Sequence, residues 1–306
     1  MTVGGPSLVG RAREIAALRD RLDRAAAGRG AAVLVTGEAG IGKSRLAREM
    51  SAQATDRGWR VVEGRCVAVG SEPLRRAALL DMLRSPAAGP GGANGAGGLA
   101  AASTEELLER VLTLVDAASP AQPLLLLVED LHWADRATCE VVMVLARHVA
   151  GRPACLVTTS RDDELPRGHH VRGFLAELRR AQLVTTLALH RLGAAEVATL
   201  LQNLAGPVDP ARASAIFERS GGNPLLVEEL CEAAAGPAEL EDRFVDVLLA
   251  RTDGLSAAAM TVAGAVAAAG RFVDEGLLAE VVTALPGTDG SDDADGASAG
   301  NRGRTP

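Results

Sequence analysis

Residues 37–44 read GEAGIGKS, and this stretch constrains the fold more than any other part of the 306-residue chain. It fits the pattern G-x-x-x-x-G-K-[ST] through Gly37, Gly42, Lys43 and Ser44. In such a loop, successive backbone N–H groups point at phosphate oxygens and the lysine neutralises the outer phosphates. The hydroxyl joins the shell of Mg²⁺, and the next helix presents its positive end. Lys43 is the only lysine of the chain; the other 31 of its 32 basic residues are arginine. A flexible point charge reaches over a phosphate chain where a planar guanidinium would crowd the loop. The plain alternative is a Gly-rich turn with no chemistry, and the flanks oppose it. Residues 31–36 (AAVLVT) are a short apolar run suited to a buried parallel strand, and 43–55 (KSRLAREMSAQAT) form helix readily. Strand, loop and helix thus follow in the order a phosphate site requires.

A second signal lies at 123–130, PLLLLVED. Four leucines and a valine predict a strand buried on both faces, ending in two carboxylates. A pair of acids after a strand is usually a solvated turn. Downstream of a phosphate loop the expectation reverses: Glu129 becomes the metal-side acid, acting through water, and Asp130 the candidate base. Asp135 is expected to cap the helix at 136–149. His132 either touches the site or fills a polar turn. Arg161 follows the strand at 154–160, in the crevice where open α/β sheets bind ligands; pairing with Asp162 or Asp163 is its plain reading.

The remaining elements follow from periodicity. Residues 11–27 predict a helix with Ile15, Leu18 and Leu22 on one stripe. A strand is expected at 60–65, a helix at 74–84, a helix at 104–118 opened by a Ser103/Glu106 capping box, a helix at 171–181 and a strand at 183–189. The uncharged tract 85–102 (SPAAGPGGANGAGGLAAA) reads as a flexible loop. From 193 the pattern is helical: cap-then-Pro starts at Asp209-Pro210 and Asn223-Pro224 open helices at 210–220 and 224–235, with others at 239–252 and 256–269. The polar segment 286–306 reads as a disordered tail. A net charge of −7 opposes a sequence-independent grip on nucleic acid. The four cysteines lie far apart, without metal-ligand or disulfide spacing, as expected of a reducing compartment. No apolar run approaches a membrane span, so a cytoplasmic, soluble chain is expected.

Together LVGRAREIAAL at 8–18, TGEAGIGKSRLA at 36–47, LLLVEDLHWAD at 125–135, TTSRDDEL at 158–165 and SGGNPLLVEEL at 220–230 make the sequence resemble a known family. It resembles the AAA-like P-loop domain of STAND signalling ATPases, above all that of large LuxR-type bacterial transcriptional regulators. The resemblance covers residues 7 to about 285. It implies an α/β P-loop NTPase at 1–192, with a five-stranded parallel sheet of order 5-1-4-3-2. An all-α lid at 193–253 and an incomplete winged-helix-like region at 254–285 would follow. ATP or ADP with Mg²⁺ would be bound by Gly37, Glu38, Ala39, Gly40, Ile41, Gly42, Lys43, Ser44 and Arg45. Val9, Gly10 and Arg11, with Gly222 and Pro224, would flank the adenine, and Ser44 and Glu129 would hold the metal. Asp130, Glu129 and Arg161 would act on the γ-phosphate, with Arg161 as sensor.

The family's proteins are slow, Mg²⁺-dependent ATPase switches that answer an inducer and self-associate. Two departures stand out. Glu129 occupies a place where Asp is usual, and the repeat and helix-turn-helix regions are absent, so DNA binding by these 306 residues is not expected. The expectation is an ATP-dependent switch module. The alternatives are a P-loop kinase of a small acceptor, disfavoured by the few basic residues of 193–252, and a non-hydrolysing nucleotide-dependent scaffold.

Overall fold

The computed structural model describes residues 8–69, 72–89, 101–161, 165, 168–232, 260 and 264. The chain divides into two compact units, Met1–Ala234 and Ala235–Pro306. The first carries everything described below. The sequence expectations for 239–252, 256–269, 254–285 and 286–306 lie outside the described residues, apart from Met260 and Gly264.

Five strands form one parallel sheet: β1 Ala31–Thr36, β2 Arg60–Arg65, β3 Leu124–Glu129, β4 Ala154–Ser160 and β5 Thr185–Ala188. Their order across the sheet is β2-β3-β4-β1-β5, which read from the other edge is the expected 5-1-4-3-2. The central strand β1 is held in register by both neighbours, with Thr36 opposite Ser160 of β4 and Ala188 of β5. The loop that leaves β1 after Thr36 therefore starts at the carboxyl edge of the sheet's middle, where β3 and β4 also end.

Two-residue alternation sorts β3 into two cores. Leu124, Leu126 and Val128 pack with helices α3 Ala77–Arg84, α4 Thr104–Asp116, α5 Arg136–His148 and α6 His170–Arg180. Leu125 and Leu127 face the other way, onto α1 Ala12–Ala26 and α2 Lys43–Asp56. Every residue of β3 and β4 is buried, as a strand covered by helices on both faces demands. The capping expectations hold in detail. Ser103 and Glu106 form a reciprocal capping box at α4, and Asp135 accepts from the Thr138 N–H at α5.

Two expectations need correction. The helix placed at 74–84 begins at Ala77. Residues 68–69 and 72–73 pair as a short antiparallel hairpin, the Leu74 N–H continues it to the Val67 carbonyl, and Arg76 has a positive φ of 55°. The backbone turns helical only after that residue. The tract 85–102 opens with a 3₁₀ turn at 86–88, whose Ala87 N–H is accepted by the Ser85 hydroxyl. Residues 90–100 lie outside the described set.

After β5 the chain is helical: α7 Ala194–Ala205, α8 Pro210–Ser220 and α9 Pro224–Glu232. These three helices pack on one another and belong to the same compact unit as the sheet. The expected lid is therefore continuous with the core through Glu232.

Candidate functional site

The phosphate loop is shaped by backbone conformation first. Gly42 precedes α2 with φ of 101°, a conformation that L side chains rarely adopt. A Cβ there would meet nothing within 4 Å, so the requirement for glycine is conformational, not steric. Helix α2 has no side-chain cap and no acidic residue in its first turn, in contrast to α4, α5 and α8 with Ser103, Asp135 and Asp209. Its first N–H groups and the positive end of its dipole are thus left for an anion. Lys43 is buried, and its Nζ donates to the carbonyls of Gly37 (2.6 Å) and Glu38 (2.8 Å). The ammonium thereby lies across the loop.

A cavity of about 660 Å³ opens over this loop. Gly40, Gly42, Lys43, Ser44, Arg45 and Arg48 line it from the loop and α2, with Asp130 after β3 and Arg161 after β4. Leu204, Pro224, Leu225, Glu228 and Glu232 line it from the helical segment. Asp130, Arg161, Lys43, Ser44 and Pro224, more than 180 residues apart at the extremes, thus share one cavity wall.

The two acids of β3 are placed differently. Glu129 is 7% exposed, and its Oε1 accepts from Arg65 Nη2 of the neighbouring strand at 3.0 Å. Its buried Oε2 has no hydrogen-bond partner among the described residues. An orphaned carboxylate oxygen at the sheet's carboxyl edge is suited to the hydration shell of a hard cation, so Glu129 and the cavity-lining Ser44 fit Mg²⁺. Asp130 stands on the cavity wall in a left-handed conformation (φ 60°), its N–H donating to Thr159 Oγ1 at 2.9 Å. Burial raises its carboxyl above the ordinary Asp value, while Arg65, Arg161 and Lys43 pull in the other direction. A carboxylate displaced upward and facing a phosphate cavity is placed to accept a proton.

His132, in the 3₁₀ turn Leu131–Trp133, is buried, with Nδ1 4.0 Å from Asp130 Oδ1. Arg11 is only 4% exposed. Its Nη2 donates to the Ile41 carbonyl at 3.0 Å, so it braces the phosphate loop from outside. Among the described residues the cavity walls do not include Val9, Gly10 or Arg11. Burial lowers the Arg11 pKa, against the attraction of Glu14 and Glu196.

Sequence reasoning missed the contacts that hold the loop from the helical side. Glu38 receives a two-pronged bond from Arg191 (Nε 2.9 Å, Nη2 2.8 Å) and a third from Asn223 Nδ2 (3.0 Å). Asn223 also donates to the Ala39 carbonyl at 2.9 Å, and the Leu225 N–H reaches the Gly40 carbonyl at 3.3 Å. Arg45 pairs with Glu228 at 2.5 Å. Asn223 gave only a helix-start signal, and no local pattern pairs residues 38 and 223.

Sheet order and loop together are those of the α/β P-loop NTPase fold. Residues 7–157, 151 of the 306, match the family model described as the AAA ATPase domain. A curated relative, an uncharacterized protein (R02095) of Rhizobium meliloti (strain 1021), is 27% identical over 273 residues, covering 75% of this chain. The chain spans only about a quarter (25%) of that relative's length. The ORC2 protein of Aeropyrum pernix, solved in ADPNP–ADP complexes, superposes with a TM-score of 0.59 at 17% identity, covering 90% of this chain and 80% of that one. The Walker-type ATPase paby2304 of Pyrococcus abyssi gives 0.54 at 13%, covering 90% and 88%. These likenesses establish the fold. Among the described residues no helix is long and apolar enough to cross a membrane, and no cluster of three or more His, Cys, Asp or Glu could hold a metal ion.

Proposed function

We propose that the chain is an ATP-binding switch module with slow Mg²⁺-dependent hydrolysis, of the STAND kind found in LuxR-type regulators. The observation that carries this reading is the double attachment of Glu38. A residue inside the phosphate loop is gripped by Arg191 and Asn223, which lead into helices α7 and α9. A ligand can shift a conformational equilibrium only through contacts that differ between the states. A phosphate chain filling the loop competes for Lys43 and presses on the backbone that Asn223 holds, which supplies such a difference.

In the hydrolytic step, Gly40, Gly42 and the first turn of α2 would bind the phosphates, Lys43 would neutralise the outer ones and Arg161 would face the terminal one. Asp130 would accept the proton of the attacking water. Ser44 and Glu129 would hold Mg²⁺, which supplies charge neutralisation on the phosphate oxygens.

The kinase alternative requires basic clamps on the lid. The described helical residues on the cavity wall are Leu204, Pro224, Leu225, Glu228 and Glu232, which are apolar or acidic. They suit a nucleoside end or a moving lid better than a second phosphate-bearing substrate. Equilibrium binding of ATP and ADP, with turnover measured in wild type and Lys43→Ala, tests the proposal. Tight binding and slow turnover, both lost in the variant, are expected. Binding without turnover leaves the scaffold reading, and no binding removes the nucleotide role.

A further inference from the structure

The cavity wall contributed by the helical segment carries acids that phosphate binding does not explain. Along α9, Leu225, Glu228 and Glu232 line the cavity. They are spaced i, i+3 and i+7, so one face of the helix is turned to the ligand space. An anion on the wall of a phosphate site repels the phosphate chain unless its charge is offset and its oxygens meet donors. Glu228 has the offset. Arg45 Nη1 donates to its Oε1 at 2.5 Å, and the two side chains are only 28% and 32% exposed. That bond engages one oxygen, whereas a carboxylate offers about four lone-pair sites. Acceptor capacity therefore remains on a residue that lines the cavity.

The neighbours of Glu228 narrow what can donate to it. Arg45 is the third residue of α2, next to Ser44 and in the turn whose first N–H groups are left for an anion. The ligand group that meets Glu228 is therefore the one adjoining the phosphate chain. Leu204, Pro224 and Leu225, on the same wall, carry no side-chain donor or acceptor and suit the apolar faces of a base. In a nucleotide the group between phosphates and base is the ribose, whose 2′ and 3′ hydroxyls are neutral O–H donors. The exocyclic amino group of adenine lies on the far edge of the base, beyond the sugar. An acidic side chain accepting from a ribose hydroxyl is also how dinucleotide-binding α/β folds read that sugar.

We propose that Glu228, with its charge held by Arg45, accepts a ribose hydroxyl, so that the cavity selects ribonucleotides over deoxyribonucleotides. This rests on the nucleotide-binding reading above and names the part of the nucleotide that the helical segment reads. Glu228 is thus a specificity residue, and Arg45 positions it.

The test is equilibrium binding of ATP, 2′-deoxy-ATP and 3′-deoxy-ATP to the full chain with Mg²⁺, in wild type, Glu228→Ala and Glu228→Gln. All three nucleotides carry the same phosphates, so a change in Arg45 acts on each alike and drops out of the ratio of their affinities. The wild type should hold ATP about 10-fold more tightly than at least one deoxy analogue, the scale of a hydrogen bond to a charged acceptor. In Glu228→Ala the ratio should fall to within about twofold of one. Glu228→Gln keeps the shape and a neutral acceptor of about half the strength, so a ratio of about 3 is expected. Should the Ala variant not fold, as judged by thermal melting, Glu228→Gln decides by itself. Equal binding of all three nucleotides by the wild type overturns the sugar role and leaves the nucleotide reading in place. A ribose preference that the Glu228 variants keep in full belongs to another residue and overturns the role as well. Absence of binding by the wild type overturns the nucleotide reading and the role with it, and is seen before any variant is made.

Discussion

Asn223 offers the sharpest test of how the helical segment holds the phosphate loop. Its side chain is 1% exposed. Oδ1 accepts the Leu225 N–H at 3.1 Å as a helix cap, while Nδ2 donates to Glu38 Oε1 and to the Ala39 carbonyl. Losing an Asn cap costs about 1 kcal/mol. The bond to the Ala39 carbonyl adds about 1, and the one to the Glu38 carboxylate, being charge-assisted and largely shielded, about 1.5. Asn223→Ala should therefore destabilise by about 3.5 kcal/mol. With a urea dependence of roughly 3 kcal/mol per molar, the unfolding midpoint falls by about 1 M.

Asn223→Asp separates the two roles. Asp caps as well as Asn, so a residue that only capped α9 would tolerate it. Here it removes both donors and sets a second carboxylate where Nδ2 stood 3.0 Å from Glu38 Oε1. The Asp variant should be at least as unstable as the Ala variant at pH 7 and should recover partly on acidification. An Asp variant within about 0.5 kcal/mol of wild type would refute the grip on the loop and leave only the cap.

Three further outcomes are expected. Gly222 has φ of 79°, and a Cβ on it would lie 2.1 Å from the Leu192 carbonyl oxygen, so Gly222→Ala should lower the melting temperature sharply, by more than about 2 kcal/mol in stability. The four thiols are all buried and free, and burial pushes Cys139 and Cys155 up to about 12. Alkylation at pH 8 should therefore leave the native protein unmodified and label these thiols only after unfolding. His132 is neutral in the folded chain down to about pH 3 but protonates near 6.5 when unfolded. Stability is thus fully present above pH 6.5 and declines as pH falls, by up to about 1.4 kcal/mol per unit between 6.5 and 5. His132→Gln should flatten that slope in urea titrations.

Much of the fold was legible because its determinants are local. The leucine run of β3, the AAVLVT of β1 and the caps at Ser103, Asp135 and Asp209 each write their element in a few neighbouring residues. The start of α3 was not, since the hairpin that displaces it pairs only Ala68–Val69 with Glu72–Pro73, too short to leave a periodic signature. At the site, spacing singled out Lys43, Ser44, Asp130 and Arg161, and these four line one cavity. The order of the two acids made Glu129 the metal-side acid and Asp130 the candidate base, but nothing local showed that Arg65, an exposed residue of another strand, reaches Glu129 across the sheet.

The sequence by itself determined the phosphate loop, its strand and its helix. A loop whose backbone must take a positive φ at Gly42 and leave N–H groups bare is specified by glycines and one lysine at fixed spacing. Only the tertiary structure decided what restrains that loop. Arg11 braces it from one side, 30 residues away from Ile41, and Asn223 grips Glu38 from 185 residues away. The same holds for His132, whose two ring nitrogens burial leaves without hydrogen-bond partners among the described residues. Hydrogen bonds across such separations depend on which side chains the packed core brings together and seals from solvent. No short stretch of sequence carries that information.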